Sequence, residues 1–111
     1  MRIPRIGELD RRVLLRERRD YPYRDAEIES DFPEQRPRWA KIEPVGAAVY
    51  SGSVQIDDKV THRIFLRYLD GVTSDYEVMY RDQVFRVKRV GDVNGARRFT
   101  VLEVEELKHG R

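Results

Sequence analysis

The segment Thr61-His62-Arg63-Ile64-Phe65-Leu66-Arg67-Tyr68-Leu69 carries the clearest structural signal in the chain. Three apolar or aromatic residues at every second position share one face of an extended chain: Ile64, Leu66 and Tyr68. Arg63 and Arg67 point to the other face, which predicts a half-buried β-strand. Asp70-Gly71 follows as a turn signal and ends the strand.

The same period of two predicts five more strands, at residues 12–17, 38–43, 76–80, 83–90 and 98–106. Arg81-Asp82 leaves hairpin spacing between two of them, although neither residue favours a positive φ, which points to a bulged turn. Asn94-Gly95 is the strongest turn dipeptide and leads into the last strand. The last three strands therefore form an antiparallel meander.

Six short strands with little convincing helix predict an all-β fold, a small antiparallel barrel or sandwich with two long loops. We expect one domain over residues 1–111. The apolar faces of the strands give the predicted core: Val13, Leu15, Trp39, Ile42, Ile64, Leu66, Val78, Val87, Val101 and Val104.

Two segments lose the alternation. Residues 18–37 hold six acids and three prolines, which predicts a long exposed loop. Residues 45–59 are rich in Gly, Ala and Ser, which is typical of a mobile loop or of a weak short helix. We expect both segments to be the mobile parts of the free subunit.

The composition bounds the function classes. With no cysteine, the chain has neither a disulfide framework nor thiolate metal ligands, which suits a reducing compartment. Its N-terminus lacks the apolar run of a signal peptide and no window resembles a membrane span, so we expect a cytosolic, non-membrane protein. The 22 basic and 20 acidic residues leave a net charge of only +2, which favours protein contacts over a dedicated nucleic-acid domain.

Residue types that could support catalysis or ligand binding occur in unsuitable spacings. The candidates are His62, His109, Ser51, Ser53, Asp57-Asp58 and Glu105-Glu106. The histidines lack metal-ligand spacing, no phosphate-binding glycine loop occurs, and adjacent acids on a strand point to opposite faces. The serines lack a nearby His. We therefore predict no catalytic, cofactor or metal site and no enzyme, because a small-molecule enzyme needs polar groups converging in a pocket.

Aromatic residues leave one rival function open. Trp39, Tyr50, Tyr68, Tyr76 and Tyr80 could serve as stacking platforms for single-stranded nucleic acid, as in other small barrels. At alternating strand positions, such residues are more often part of the core or its rim. A nucleic-acid-binding barrel therefore stays as the alternative function.

Four motifs in order give the chain a resemblance to a known family. They are Ile6-Gly7-Glu8-Leu9-Asp10-Arg11-Arg12-Val13, Trp39-Ala40-Lys41-Ile42-Glu43-Pro44, Thr61-His62-Arg63-Ile64-Phe65-Leu66-Arg67-Tyr68 with Asp70-Gly71-Val72, and Tyr80-Arg81-Asp82-Gln83-Val84-Phe85-Arg86-Val87. At this spacing they resemble the head-tail joining proteins of tailed bacteriophages, also called head-completion, adaptor or stopper proteins. Ala47-Ala48 and Asp82-Gln83 depart from the family pattern.

The resemblance implies a structural virion protein that is made in the bacterial cytoplasm. Such a protein forms a ring beneath the portal and its adaptor, retains packaged DNA in the connector channel and offers a docking surface to the tail. It implies no cofactor, no membrane and no small-molecule substrate.

The resemblance also assigns roles to the two loops. It implies that residues 45–59 point into the channel, with passing contact to DNA through Tyr50, Ser51, Gly52, Ser53, Asp57, Asp58 and Lys59. Residues 18–36 would reach a neighbouring protein, with Arg19, Arg24, Glu27, Glu29 and Asp31 as docking candidates. The sequence leaves the reverse assignment of the two loops open.

Overall fold

The computed structural model describes residues 2–23, 27–31, 35–46 and 59–107, with residues 19–23 and 27–31 described by their backbone. Eight strands run in chain order: β1 Arg11–Glu17, β2 Arg19–Tyr23, β3 Glu27–Asp31, β4 Gln35–Pro44, β5 His62–Arg67, β6 Tyr76–Tyr80, β7 Gln83–Asp92 and β8 Phe99–Leu107. Two short 3₁₀ turns, Ile6–Glu8 and Val93–Gly95, precede β1 and β8. Within the described part of the chain, no helix is long and apolar enough to cross a bilayer.

Six of the strands close into an antiparallel barrel in the order β1-β4-β5-β8-β7-β6. Strand β1 closes the ring because it pairs on both edges, with Arg12 opposite Trp39 of β4 and Leu15 opposite Val78 of β6. The predicted all-β fold is confirmed, and of the two predicted architectures, barrel or sandwich, the structure is the barrel. The predicted meander of β6, β7 and β8 is also confirmed. Each of the six barrel strands coincides with a predicted one to within a few residues.

The prediction that residues 18–37 form a loop is wrong. Half of this segment forms a second sheet in which β2 and β3 pair as an antiparallel hairpin, and β4 begins at Gln35. Both strands of a two-stranded sheet are edge strands, where a proline such as Pro22 is tolerated. The prolines and acids that argued for a loop are therefore compatible with a hairpin.

The barrel interior holds the main core. Its buried residues are Val13, Leu15, Ala40, Ile64, Leu66, Val72, Tyr76, Val78, Phe85, Val87, Leu102 and Val104. All of the predicted core residues except Trp39, Ile42 and Val101 belong to this set, and Ile42 is partly buried against it. The alternation of apolar residues therefore predicted the interior correctly on most strands.

A second cluster covers the outside of the barrel. Phe65 points outward from β5 between the inward residues Ile64 and Leu66, yet only 2% of it is exposed. Leu9, Val93, Phe99 and Val101 bury it, and Ile3 packs against them. The predicted burial of Val101 is confirmed here, on the outer face. Because both faces of β5 are covered, this strand has the continuous apolar run Ile64-Phe65-Leu66.

Glu8 holds the N-terminal segment that covers this cluster. One carboxylate oxygen accepts the backbone amide of Arg5 at 2.8 Å, and the other accepts a guanidinium N–H of Arg2 at 2.9 Å. Lys41 of β4 lies 3.6 Å from the same carboxylate. The hydrogen bonds from Arg2 and Arg5 lower the pKa of Glu8 to about 2.

The prediction that Trp39 is buried is wrong, since 52% of this residue is exposed. The period of two explains the error. Ala40 is fully buried and Ile42 packs against the same interior, so the neighbouring Trp39 must lie on the outer face of β4. Tyr68, placed by the pattern on the face of Ile64 and Leu66, lies just beyond the end of β5 and is also exposed.

The turns follow their sequence signals with one difference. Tyr80 pairs directly with Gln83, so Arg81-Asp82 makes a tight two-residue turn in which Arg81 adopts a φ of 56°. The bulge expected there lies instead within β7, between Val87 and Arg89. Asn94 and Gly95 both have positive φ, which confirms the predicted turn before β8.

Candidate docking surface

The β2–β3 hairpin and the segment after β4 lie at opposite ends of the barrel. The hairpin joins the end of β1 at Glu17 to the start of β4 at Gln35, whereas β4 ends at Pro44, which pairs with His62 at the start of β5. Because neighbouring strands are antiparallel, these connections leave the barrel in opposite directions. A partner of the hairpin and a partner of the second segment would therefore meet different ends of the subunit.

The candidates for a channel loop lie mostly outside the described residues. This holds for Tyr50, Ser51, Gly52, Ser53, Asp57 and Asp58. Lys59 is described and exposed. The base of the segment is closed, because the amide of Val45 donates to the carbonyl of Thr61 at 2.9 Å.

The candidates for a docking loop fall on the hairpin, apart from Arg24, which lies outside the described residues. In the register of the hairpin, Arg19 opposes Asp31, Tyr21 opposes Glu29 and Tyr23 opposes Glu27. Glu27, Glu29 and Asp31 therefore occupy alternate positions of β3. The base of the hairpin is tied to the barrel by a hydrogen bond from the amide of Arg18 to the carbonyl of Asp75, at 2.9 Å.

A pair of large residues, Ile6 and Trp39, forms an exposed apolar surface beside the second cluster. Ile6 is 61% exposed and, with Leu9, Trp39 and Arg67, lines a shallow depression of about 370 Å³. The guanidinium of Arg12 lies 5.1 Å from the centre of the Trp39 ring. This stacked pair forms one side of the surface.

The apolar surface continues past Ile6 and Arg67. These two residues also line a neighbouring depression of about 470 Å³ with Tyr68, Phe99, Arg97 and Arg98. We call the whole surface the Trp39 patch: Ile6, Trp39 and Tyr68 with Arg12, Arg67, Arg97 and Arg98. Neither Ile6 nor the Arg97-Arg98 pair was a site candidate from the sequence, because only the strand order β1-β4-β5-β8 brings them beside Trp39.

The other candidate aromatics behave as core and rim residues. Tyr76 is buried and its hydroxyl accepts an N–H of Arg36 at 3.1 Å. Tyr80 packs partly against the barrel core, with Arg11 and Arg81 beside its ring. Tyr50 lies outside the described residues.

The remaining chemical candidates have structural partners. Glu105 pairs with Lys88 at 3.3 Å, and Glu106 accepts an N–H of Gln83 at 3.0 Å. The ring of His62 packs edge-on against Phe85 at 5.1 Å. Among the residues with described side chains, no group of three or more His, Asp or Glu is arranged to hold a metal ion. His109 lies outside that part of the chain.

Comparison with known proteins identifies the family. A family model described as phage head completion protein matches residues 4–107. The chain belongs to the phage head completion protein family. The fold is also similar to the solution structure of a protein from Shigella flexneri 2a, with 18% sequence identity, a TM-score of 0.71 and coverage of 93% of this chain and 96% of that one. A search of curated proteins finds no significant match.

Membership of the head completion family establishes the broad role. The protein is a structural component of a bacteriophage virion and interacts with other phage head or tail proteins. The family is not known to be enzymatic. The resemblance found from the four sequence motifs is thereby confirmed.

Proposed function

We propose that this protein joins the phage head to the tail by forming a ring beneath the portal and its adaptor, where it closes the connector channel and retains packaged DNA. It is made in the cytoplasm of the bacterial host and assembles onto filled heads. The observation that carries this proposal is the placement of two long connections at opposite ends of one closed barrel.

The barrel supplies a fixed spacer between these two connections. Every barrel strand is paired on both sides, and Leu15, Phe85 and Leu102 are fully buried inside it. Such a closed, packed barrel resists deformation, so a load on one end is transmitted to the other. A joining protein needs this property because it lies between a pressurised head and a tail.

The two connections then have separate roles. In this proposal, residues 45–59 face the channel, where Asp57 and Asp58 repel DNA phosphates and Lys59 attracts them, so DNA is met without being gripped. The acidic β2–β3 hairpin faces a neighbouring protein, and its carboxylates complement arginine-bearing surfaces. The acidic hairpin and the arginine-bearing strands together give each subunit the two unlike surfaces that a head-to-tail ring requires.

The proposal is tested with DNA-filled heads assembled without this protein. Purified protein is added, and three quantities are measured: retained DNA, bound protein and attached tails. We expect all three to rise together with the amount of protein added. Heads that keep their DNA and accept tails equally well without the protein would refute the joining role.

One observation favours a second function. Trp39 and Tyr68 are exposed beside four arginines, as in surfaces that stack single-stranded nucleic acid. A nucleic-acid-binding role would appear as tight, strongly salt-dependent binding of a single-stranded oligonucleotide, measured by quenching of the fluorescence of Trp39. Trp39 is the one tryptophan of the chain, so the signal reports on this surface alone.

A further inference from the structure

The Trp39 patch has the composition of a protein-binding hot spot. Tryptophan, tyrosine and arginine dominate such sites, because they bury a large area and keep a polar contact at its edge. Here Trp39 and Tyr68 flank Ile6, and the three residues are 52%, 40% and 61% exposed. An apolar centre of this kind with a polar rim marks an interaction surface.

The rim of the patch carries an excess of positive charge. Arg12, Arg67, Arg97 and Arg98 are all exposed, and none lies within ion-pair distance of a carboxylate among the described side chains. The carboxylate of Asp92 accepts the backbone amide of Arg97 at 2.9 Å. The patch therefore offers four guanidinium groups to an acidic partner.

The same chain carries a segment of the opposite character. Strands β2 and β3 contain four acids, Asp20, Glu27, Glu29 and Asp31, against one base, Arg19, so their net charge is 1 − 4 = −3. They also contain Tyr21, Tyr23 and Ile28, which could fill apolar depressions. The two strands pair with each other and with no strand of the barrel. Within the described chain, the hairpin is thus an acidic element without a strand partner beyond itself.

We propose that the Trp39 patch of one copy binds the β2–β3 hairpin of the next copy. The contact joins two unlike surfaces, so it is head-to-tail, and repeating it generates a ring when the rotation closes. This inference rests on the proposed ring and names its contact. In the ring, the acids of the hairpin face Arg67, Arg97 and Arg98, and an aromatic or aliphatic residue of the hairpin covers Ile6.

A protein partner accounts for the patch better than nucleic acid does. One side of the Trp39 ring is occupied by Arg12, and Ile6 at the centre has no π face on which a base could stack. The net charge of the whole chain is only +2, whereas the hairpin and the patch are individually of opposite sign. Complementary charge on two surfaces of one chain favours self-association.

The test uses the absence of cysteine from the chain. A Ser30→Cys variant carries a spin label on the hairpin without losing an acid, and it is mixed with ¹⁵N-labelled protein that bears no label. We expect loss of signal intensity at the amides of Arg12, Trp39 and Arg67 and at the indole N–H of Trp39. The matched control carries the label at Asp82→Cys, in the turn at the opposite end of the barrel, and should leave these signals unchanged.

Charge reversal tests the same contact. Arg67→Glu in the ¹⁵N-labelled copy should abolish the loss of signal intensity at the patch. When Glu27→Lys and Glu29→Lys are then introduced into the spin-labelled copy, the loss of intensity should return, because the two surfaces again carry opposite charges. Lys59→Glu, an exposed base near the start of β5, at the other end of that strand from Arg67, is the matched control and should have no effect. No intensity loss at the patch, or equal loss from both label positions, overturns the proposal.

Two further outcomes are distinguishable. If an oligonucleotide quenches Trp39 while the hairpin variants leave the patch unaffected, the patch binds nucleic acid and the proposal fails. Alternatively, the spin label on the hairpin reduces signal intensity at the patch while the protein neither binds DNA-filled heads nor retains DNA. That result supports the contact between copies and refutes the joining function. Binding to heads without any effect of the hairpin label leaves the joining function and removes this contact.

Discussion

The guanidinium of Arg12 on β1 lies 5.1 Å from the centre of the Trp39 ring on β4, and the two residues are directly paired across the strands. Both lie on the outer face of the barrel. A buried Trp39, as the sequence predicts, would lose about 3–5 kcal/mol on substitution by Ala. With Trp39 half exposed, we expect less than about 1 kcal/mol, the size of an exposed cation–π pair. Denaturant unfolding measures the change, with Phe85→Ala, fully buried, as the control that should lose about 3–5 kcal/mol.

The second cluster buries Phe65, although the alternation of apolar and polar positions places this residue on the solvent face of β5. Phe65→Ala should lower the free energy of unfolding by about 3–5 kcal/mol, because the ring is buried between β5 and the N-terminal segment. Phe65→Leu should lose less than about 1.5 kcal/mol, since it keeps most of the volume. Equal, small losses in urea unfolding of both variants would show that the N-terminal segment does not cover Phe65 in solution.

Glu8 predicts a dependence of stability on acid pH. Its pKa is lowered to about 2 in the folded chain, and its ordinary value is 4.5, so its contribution is present above about pH 4.5 and is lost as the pH falls toward 2. Glu8→Gln should therefore be less stable than the natural chain at pH 6, and the difference should shrink at pH 3. The matched control is Asp10→Asn, whose carboxylate lies 4.0 Å from Arg11. A difference for Glu8→Gln that does not change with pH would contradict the assignment.

The tight turn between β6 and β7 predicts a stabilising substitution. Arg81 has a φ of 56°, which costs a residue with a Cβ about 1–2 kcal/mol. Arg81→Gly removes this cost but adds entropy to the unfolded chain, so we expect a net gain of about 0.5–1 kcal/mol. Asp82→Gly is the control, because Asp82 is not among the residues with positive φ and should gain nothing. Thermal unfolding distinguishes the two variants, and a larger gain for Asp82→Gly would be inconsistent with the turn described here.

The two connections predict separable phenotypes in DNA-filled heads. Deletion of Ser51 to Ser53 should leave binding intact, because the Val45 to Thr61 hydrogen bond closes the base of the segment and a shorter loop loses little closure entropy. Heads carrying this deletion should nevertheless leak DNA. Glu27→Lys with Glu29→Lys should instead weaken binding, and more strongly at low salt, where charges are less screened. The experiment measures retained DNA and bound protein for each variant.

The reverse result is equally informative for these loops. If the deletion abolishes binding while the charge reversals affect DNA retention alone, the roles of the two loops are exchanged. If neither change has an effect, the proposed joining mechanism is refuted.

Most of the barrel could be predicted from the sequence because its strands cover one face with apolar residues at a period of two. The interior residues Val13, Leu15 and Ile64 follow from this rule. The rule was misapplied at Trp39, which was placed in the core because of its large apolar side chain and against its position in the alternation. Trp39 and Ile42 are three residues apart and so cannot share a face of a strand, and the smaller Ala40 takes the buried position.

The candidate surface could not be predicted, because its members come from distant parts of the chain. Ile6 precedes β1, Trp39 is on β4 and Arg97 follows the turn before β8, and only the order of strands in the closed barrel makes them neighbours. The sequence shows that residues 18–36 hold six acids. It missed their strands, because a two-stranded hairpin need not bury a face and so shows no clear alternation.

Closure of the barrel has a consequence for aggregation. A closed sheet leaves no free backbone edge, so among the described strands the unpaired edges belong to β2 and β3. Among these described strands, a foreign strand would therefore be added at this hairpin, whether in a functional complex or in a fibrillar aggregate. Pro22 withholds a backbone donor there, and the acids of β3 repel a second copy aligned edge to edge. The same residues that concealed the hairpin from the strand pattern thus protect the chain against uncontrolled polymerisation before it reaches the virion.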